Sequence, residues 1–221
     1  MIEILHKDKD FLVCIKPHGI PSQPDQSGSE DMTSLLRENL RECGENDEIF
    51  VVHRLDRTTG GIMLYARNAQ ASAFFSNLVS QKKGFEKEYL AIVSGKPQED
   101  KGTMTDLLYK DSAQKKAFVV KTERKGAKSA ILDFEVLSTV RIAEKSFSLL
   151  KILLHTGRFH QIRVQLSSRK MPIYADGKYG SREKAPQMGL WAHRIAFVYK
   201  GKKYEFKKDP DYDLIPWNIF K

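Results

Sequence analysis

Hydrophobic and polar positions alternate along much of this chain, with the period of two that is typical of half-buried β-strands. The alternation predicts ten strands, near residues 2–6, 10–15, 48–55, 61–66, 87–94, 116–121, 129–137, 146–154, 193–199 and 203–207. The last two are predicted to form a hairpin that turns at Gly201.

Three other segments repeat their apolar residues every three to four positions, which predicts helices over 31–43, 69–81 and 158–169. Asp31 or Ser29 can cap the first helix and Asn68 the second, because these side chains accept hydrogen bonds from a helix's first N–H groups. The residues predicted to face the core are Leu35, Leu36, Leu40 and Cys43, then Phe74, Phe75 and Leu78, then Phe159, Ile162 and Leu166.

The order of these elements indicates the fold class. Strands outnumber helices and rarely alternate with them, so we expect an α+β protein with a mixed, largely antiparallel central β-sheet flanked by a few helices and loops. The 221 residues show no repeat and no linker, which predicts a single domain over 1–221. The polar loop 16–31 is long enough to border a site, and we expect an active-site cleft across the sheet.

The apolar segments also bear on the protein's compartment. No run reaches the roughly 18 apolar residues of a membrane-spanning helix, and the N-terminus does not resemble a signal peptide, so we expect a cytoplasmic protein without a membrane partner. Cys14 is predicted to be a core residue of a strand. The spacing of Cys14 and Cys43 predicts neither a disulfide nor zinc, and the histidines do not cluster at metal-ligand spacing.

The charge of the chain is strongly basic and partly concentrated in one segment. Lys and Arg number 37 against 28 Asp and Glu, which gives a net charge of +9. Residues 110–128 alone hold seven basic and two acidic residues, a local charge of +5. Such a segment attracts polyanions, of which nucleic acid is the commonest in cytoplasm. A solvated, lysine-rich hairpin is an equally good interpretation of charge alone.

The first candidate for chemistry is Asp56, in "HRLDR" between two apolar strands. Its neighbours Arg54 and Arg57 would keep the carboxylate ionised, as a nucleophile or a charge stabiliser requires. We expect Arg54 to share a strand face with it if the strand continues that far. Gly60 and Gly61 allow another backbone or a ligand to approach closely. The alternative is a structural ion pair that closes the turn.

The second candidate is "HTGRFHQIRVQL", residues 155–166. Arg158, His160, Gln161 and Arg163 are predicted to project from the polar side of a helix, and their planar groups suit fixed hydrogen bonding, which favours a binding role. Tyr89, at the start of the apolar strand "KEYLAIVSG", reads by itself as a core tyrosine with its hydroxyl at the rim.

Taken together, these motifs resemble the RluA-type pseudouridine synthases, which isomerise specific uridines in RNA. The matching motifs are "KPHGIP" at 16–21, "HRLD" at 53–56, "KEYLA" at 87–91 and "TGRFHQIR" at 156–163, all in the family's order. The segment "MPIYADGKYG" at 171–180 matches what usually follows. The resemblance spans the chain from Lys16 to about Phe197.

The resemblance implies roles for five residues. Asp56 resembles the essential catalytic aspartate, and Arg54 the arginine that helps extrude the target nucleotide. Tyr89 resembles the tyrosine that stacks on the uracil. Arg163 resembles the basic residue that pairs with the aspartate, and Ile162 sits where an apolar residue lines the base pocket.

Two departures from the family pattern concern loops. The chain has Thr59-Gly60-Gly61 where the family usually reads Thr-Ser-Gly, and Ala175 where glycine is common. Because the motifs begin by residue 16, we expect no N-terminal S4-like RNA-binding module, so that the domain's own surface selects the target.

The implied reaction breaks the N-glycosidic bond, rotates the uracil and rejoins it through C5. It requires one carboxylate and a pocket for the detached base, but neither a cofactor nor a metal. The expected partner is a structured ribosomal or transfer RNA, whose phosphates would be held by the 110–128 segment and by Arg54, Arg57 and Arg163. Arg158 and His160 are further candidates for substrate binding.

Two other functions remain open. An RNA or nucleoside glycosidase would also use an ionised aspartate but needs a second carboxylate or a bound water route, with Glu86, Glu88 and Asp176 as candidates. It would release free uracil, whereas an isomerase leaves the mass of the RNA unchanged. A non-catalytic RNA-binding protein would have no reason to combine Asp56, Tyr89 and Arg163.

Overall fold

The structure, a computed structural model, describes residues 2–26, 28–81 and 84–221. Its strands are β1 (Ile4–Lys7), β2 (Phe11–Lys16), β3 (Phe50–Val51), β4 (Gly60–Ala66), β5 (Phe85–Ser94), β6 (Lys101–Asp111), β7 (Lys116–Val120), β8 (Ala127–Ile142), β9 (Lys145–Leu154), β10 (Leu190–Tyr199) and β11 (Lys202–Lys207). Its α-helices are α1 (Met32–Glu42), α2 (Ala69–Gln81) and α3 (Gln161–Ser168). This confirms the predicted α+β class with a largely antiparallel sheet.

The chain divides into two compact units. The first comprises Met1–Glu86 and Ala192–Asp209, and the second Lys87–Trp191 and Pro210–Lys221. In the first unit the strands lie in the order β1-β2-β4-β10, with β3 beside β4 and β11 beside β10. In the second unit the order is β5-β9-β8-β6-β7. The assignment of one domain to 1–221 and the cleft across the sheet stay predictions.

The core of the first unit is built on β2 and β4. Both strands are buried along their whole length and pair antiparallel from Phe11 opposite Ala66 to Lys16 opposite Gly61. Gly61 has φ +119°, and a Cβ there would lie 2.3 Å from the carbonyl oxygen of Ala192 in β10. The glycine pair predicted the close approach of another backbone, and this approach occurs at Gly61. A residue with a side chain would not fit there.

The second unit has one long antiparallel ladder, β9-β8-β6-β7, with α3 packed on it. Leu108, Ala117 and Ala130 from the strands contact Val164 of α3 and Tyr179. Elsewhere in this unit, Trp217 near the C-terminus packs among residues of β5 and β9.

Two predicted helices need small corrections. Asp31 caps α1 through its side chain, as expected, and Asn68 accepts a hydrogen bond from the Ala71 N–H at the start of α2 (2.8 Å). Cys43 follows α1 as its C-cap and is exposed, and Phe74 of α2 is 40% exposed. Both had been predicted to face the core.

Two predicted segments are wrong in larger ways. The strand expected over 48–55 ends at Val51, so Arg54 and Asp56 do not share a strand face. The helix expected over 158–169 begins at Gln161, because His160 has φ 52° in the left-handed region and interrupts helical backbone geometry. The structure also contains β6, which was not predicted, since the apolar residues Leu107 and Tyr109 on its outer face interrupt the alternation.

One predicted feature lies partly outside the described residues. The polar loop 16–31 includes Ser27, and the N-terminal segment includes Met1, neither of which the structure describes. Cys14 is fully buried in β2, in agreement with its prediction as a core residue.

Candidate active site

The loop that carries Asp56 connects β3 to β4 and is held by a side chain from outside its own motif. The Ser22 hydroxyl accepts a hydrogen bond from the Leu55 N–H (3.0 Å) and donates one to the Leu55 carbonyl (2.9 Å). A turn follows, in which the Thr59 N–H donates to the Asp56 carbonyl (2.9 Å). Leu55 is thus buried and its backbone is fixed, while Asp56 next to it is half-buried.

Lys16 fixes the other side of this loop, a role that the sequence reasoning missed. Its side chain is fully buried, and Nζ donates to the carbonyl oxygens of Pro17 (2.9 Å), Ile20 (2.7 Å) and Arg57 (3.2 Å). The Gly19 N–H also donates to the Arg57 carbonyl (2.9 Å). The signal was present in the sequence, as a lysine at the buried end of an apolar strand just before a proline.

The charges around Asp56 influence one another. Burial lowers the pKa of Lys16 to about 7, the charge of Asp56 opposes this shift, and Arg57 reinforces it. Burial and the charge of Lys16 also lower the pKa of His18, against a hydrogen bond with the Thr58 backbone. The buried Lys16 side chain therefore lies close enough to Asp56 for their charges to interact.

The two arginines that flank Asp56 behave differently. Arg57 donates from Nε to the Gly19 carbonyl (2.8 Å), so it helps to hold the loop. Arg54 is exposed and forms no hydrogen bond or ion pair with any residue that the structure describes. The alternative of a structural ion pair that closes the turn stays open beside the catalytic interpretation of Asp56.

In the second unit, most polar side chains of residues 155–161 form hydrogen bonds with other groups of the protein. Gln161 Oε1 accepts hydrogen bonds from Thr156 Oγ1 (2.7 Å) and the Arg158 N–H (3.0 Å), and its Nε2 donates to the Ile131 carbonyl (3.1 Å). Arg158 Nε donates to the Ser129 carbonyl (2.8 Å). Arg158 and Gln161 therefore do not project from a helix as predicted.

Arg163 lies buried in α3 and forms a two-pronged ion pair. Its Nε and Nη2 contact the two carboxylate oxygens of Asp176 at 2.7 and 2.8 Å. Asp176 had been considered only as a candidate general acid. Since both of its oxygens accept hydrogen bonds from Arg163, neither is available to protonate a leaving group. The pairing of Arg163 with Asp56 stays a prediction.

Three further predicted site residues lie in the second unit. Tyr89 is opposite Ile152 in the β5–β9 ladder and is 7% exposed, and Ile162 is also buried. His160 Nδ1 lies 2.9 Å from the Tyr179 hydroxyl, which accepts a hydrogen bond from the Ala117 N–H (2.8 Å). His160 therefore connects α3 with the turn that follows Asp176.

The departure at Ala175 now has a physical meaning. Ala175 has φ 62°, in the left-handed region, where a residue with a Cβ is strained by about 1–2 kcal/mol. A glycine would take this conformation without that cost, which explains why glycine is common at this position. The strained residue directly precedes Asp176, the partner of Arg163.

Within residues 2–26, 28–81 and 84–221, no three side chains of His, Cys, Asp or Glu meet as metal ligands. In the same residues, no helix is long and apolar enough to cross a membrane.

This combination of an α+β fold with an aspartate loop and a buried arginine agrees with the comparisons with known proteins. The family model described as RNA pseudouridylate synthase matches residues 10–168. The chain belongs to this family of RNA-modifying proteins. Its similarity to individual relatives extends over most of its length.

Three curated relatives illustrate this. The chain is 33% identical over 201 residues to an uncharacterised RNA pseudouridine synthase of Mycoplasma pneumoniae, covering 90% of the chain and 62% of the relative. It is 32% identical over 199 residues to one of Haemophilus influenzae (90% and 83%). It is 29% identical over 214 residues to ribosomal large subunit pseudouridine synthase D of Borreliella burgdorferi (94% and 64%). The chain thus spans less than two thirds of the first and third of these relatives.

The fold has also been seen in a solved structure. The human RNA pseudouridylate synthase domain containing 1 superposes with a TM-score of 0.82 at 23% sequence identity, covering 99% of this chain and 87% of that one. At this identity the likeness establishes the fold alone.

Proposed function

We propose that the protein is an RNA pseudouridine synthase that isomerises uridine in a structured RNA, with Asp56 as the catalytic carboxylate. One observation carries the proposal. The backbone of the Asp56 loop is held by Ser22 and Lys16 from outside the motif, and the Asp56 side chain on this fixed backbone is half-buried. A carboxylate on a backbone that other residues hold in place suits the family's reaction, which requires a positioned carboxylate.

The reaction needs no external reactant. The bond between N1 of uracil and C1′ of the ribose breaks, a bond between C5 and C1′ forms, C5 loses its proton and N1 gains one. Asp56 either attacks C1′ or removes a proton from the sugar, and both routes begin from the ionised carboxylate. The protein's other tasks are to hold the detached base and the flanking phosphates.

We assign these other tasks by the family motifs and by what each side chain already contacts. Arg54, which is exposed and without a described partner, is proposed to contact the extruded nucleotide. Tyr89 and Ile162 are proposed to contact the uracil. Arg163 is proposed to act on the catalytic aspartate. We propose that the loops fixed by Arg57, Arg158 and His160 support substrate binding. A guanidinium or ring nitrogen of each residue contacts an oxygen atom elsewhere in its unit.

The proposed substrate is ribosomal RNA or transfer RNA in the cytoplasm. The name of the relative from Borreliella burgdorferi refers to the ribosomal large subunit, which makes ribosomal RNA the first substrate to test. The glycosidase alternative loses one of its candidate acids, because Asp176 is occupied by Arg163.

The proposal is tested with Asp56→Asn, which removes the charge with almost no change in volume. Pseudouridines are mapped in total RNA from cells that lack the gene and carry either the wild type or the variant. We expect the wild type to restore at least one pseudouridine and Asp56→Asn to restore none. Asp47→Asn is the matched control, because Asp47 is a carboxylate of the same unit that is engaged with Arg41 on the surface.

Two outcomes would contradict the proposal. If Asp56→Asn restored the modification at a rate comparable to the wild type, Asp56 would not be the catalytic carboxylate. If free uracil appeared and the RNA lost mass, the protein would be a glycosidase.

The role of Tyr89 is tested in single turnover on the mapped substrate. Tyr89→Phe keeps the ring and removes the hydroxyl, so we expect a normal fold and loss of most of the turnover. Tyr89→Leu also removes the ring face, and stacking of a base on a ring contributes about 1–3 kcal/mol, so we expect it to lose affinity for RNA as well. Tyr204→Phe serves as the control. Full rates in both Tyr89 variants would mean that Tyr89 is merely a core tyrosine.

A further inference from the structure

The β6–β7 hairpin has two faces with different surroundings. On its inner face Leu108 and Ala117 pack in the cluster that includes Val164 of α3. On its outer face Tyr109 and Phe118 lie directly opposite each other in the ladder, and Leu107 and Val120 form the next pair on that face. Phe118 is 37% exposed, and the other three are half-buried. We call these four residues the outer hairpin face.

An apolar row on the outside of a hairpin is unusual, because the solvent side of an antiparallel sheet normally alternates to polar residues. The row lies on β7, the edge strand of the second unit, and on its neighbour β6. The exposed Phe118 ring and the half-buried Tyr109 ring beside it are therefore candidates for contact with a ligand.

Cations lie over these rings. The guanidinium carbon of Arg124 is 3.8 Å from the centroid of the Tyr109 ring, and Nζ of Lys116 is 5.7 Å from that of Phe118. The distance at Tyr109 fits a guanidinium stacked on the ring, which leaves its second planar face for another flat group.

The positive charge around the outer hairpin face is not neutralised by the protein. The seven basic residues of 110–128 form no ion pair with any residue that the structure describes. Of the two acidic residues in this segment, Asp111 accepts hydrogen bonds from the backbone N–H and the side-chain amide of Gln114. Elsewhere in the same unit, surface cations such as Lys145 and Arg169 do pair, with Glu183 and Asp106.

Together, the exposed Phe118 ring, the guanidinium stacked on Tyr109 and the uncompensated charge form a surface that matches a particular ligand. Single-stranded nucleic acid presents flat base faces and a row of phosphates, and proteins bind it by stacking bases on aromatic rings beside Lys and Arg. A duplex hides its base faces within its own stack, so it matches the charge but not the rings.

We propose that the outer hairpin face binds unpaired nucleotides of the substrate RNA, with bases stacked on Phe118 and on the Arg124–Tyr109 pair and phosphates held by the surrounding lysines. The inference rests on the proposed function in that RNA is taken as the ligand. It adds a binding surface outside the residues of the catalytic motifs and makes an unpaired flanking region a requirement for tight binding.

The test compares two RNA ligands that contain no uridine and therefore do not depend on catalysis. One is a fluorescent single-stranded RNA, and the other is the same strand annealed to its DNA complement. We expect Phe118→Leu, which keeps an apolar side chain but removes the ring, to weaken single-strand binding about five- to tenfold. Duplex binding should stay as in the wild type, and Phe118→Trp should restore single-strand binding.

Charge variants separate stacking from electrostatics. Lys125→Gln should reduce the slope of log affinity against log salt by about one for both ligands, because one phosphate contact is lost. Phe118→Leu should leave this slope unchanged, since it alters no charge. The control is Leu137→Ala, which changes an exposed apolar residue of β8 outside the hairpin.

The proposal is overturned if Phe118→Leu binds the single strand like the wild type, or if it weakens both ligands equally. Failure of the proposed function would look different. In that case no pseudouridine forms with any variant, while the binding of uridine-free RNA still reports on the outer hairpin face.

Discussion

The aspartate loop, residues 52–59, and the arginine segment, residues 155–163, are both irregular stretches with several polar side chains, yet they use these side chains in different ways. In the aspartate loop, the backbone is held largely by Lys16 and Ser22, which lie outside it. In the arginine segment, the motif's own Gln161 and Arg158 hold the backbone. The comparison shows that similar polar segments can be fixed in two ways, by side chains from elsewhere in the unit or by their own.

The largest effect is expected at Arg163. Arg163→Met leaves the buried Asp176 carboxylate without its bidentate partner, and breaking a buried ion pair in this way costs about 3–5 kcal/mol of unfolding free energy. Denaturant unfolding of the variant measures this loss. A loss of this size would show that Arg163 stabilises the fold, in addition to any role that it has in catalysis.

The double variant Arg163→Met with Asp176→Asn sharpens this result. Because it also removes the buried charge, we expect it to regain much of the lost stability without regaining activity. Losses that simply add would mean that the two side chains do not interact in solution.

A smaller effect is expected at Lys16. Lys16→Met leaves three carbonyl groups without their buried donor, which costs about 1–3 kcal/mol. The exposed Lys9→Met is the control. If Lys16→Met unfolded at the same denaturant concentration as the wild type, Lys16 would not hold the aspartate loop.

The same residue predicts a dependence on pH. The pKa of Lys16 is about 7 in the folded protein and lies below the ordinary value of 10.5. Between these values the unfolded chain binds more protons than the folded one, so the Lys16 contribution raises stability as pH increases from about 7 towards 10.5. We expect the wild type to gain stability relative to Lys16→Met over this window, measured by denaturation at several pH values. If the wild type instead lost stability relative to Lys16→Met, the hydrogen bonds to the three carbonyls would stabilise the charged ammonium more than burial destabilises it.

The smallest effect on stability is expected at the arginines beside Asp56. Arg57→Gln loses the hydrogen bond to the Gly19 carbonyl and should cost about 1 kcal/mol. Arg54→Gln should change stability by less than about 0.5 kcal/mol, because Arg54 has no described partner, yet it should weaken substrate turnover more than Arg57→Gln does. If Arg54→Gln and Arg57→Gln reduced turnover equally, the proposal that Arg54 contacts the nucleotide while Arg57 fixes the loop would be wrong.

Several features of this protein followed from the sequence by itself. Alternation of apolar residues located ten of the eleven strands that the described residues form, since burial of one sheet face imposes a period of two. The caps Asp31 and Asn68 were found because a helix start leaves N–H groups that these side chains satisfy. The motifs, read in order, also identified the family, because they retain the residue types that its chemistry needs.

Other features were decided only by the tertiary structure. The buried pair of Arg163 with Asp176 joins residues from α3 and a later turn, and the hydrogen bonds of Lys16 and Ser22 reach across the first unit to residues 55 and 57. Local sequence cannot reveal such contacts, because the same arginine, lysine or serine would be solvated if the chain did not bring a partner to it. The sequence determined which polar groups this protein carries, and the tertiary structure decided which partners they bind within it.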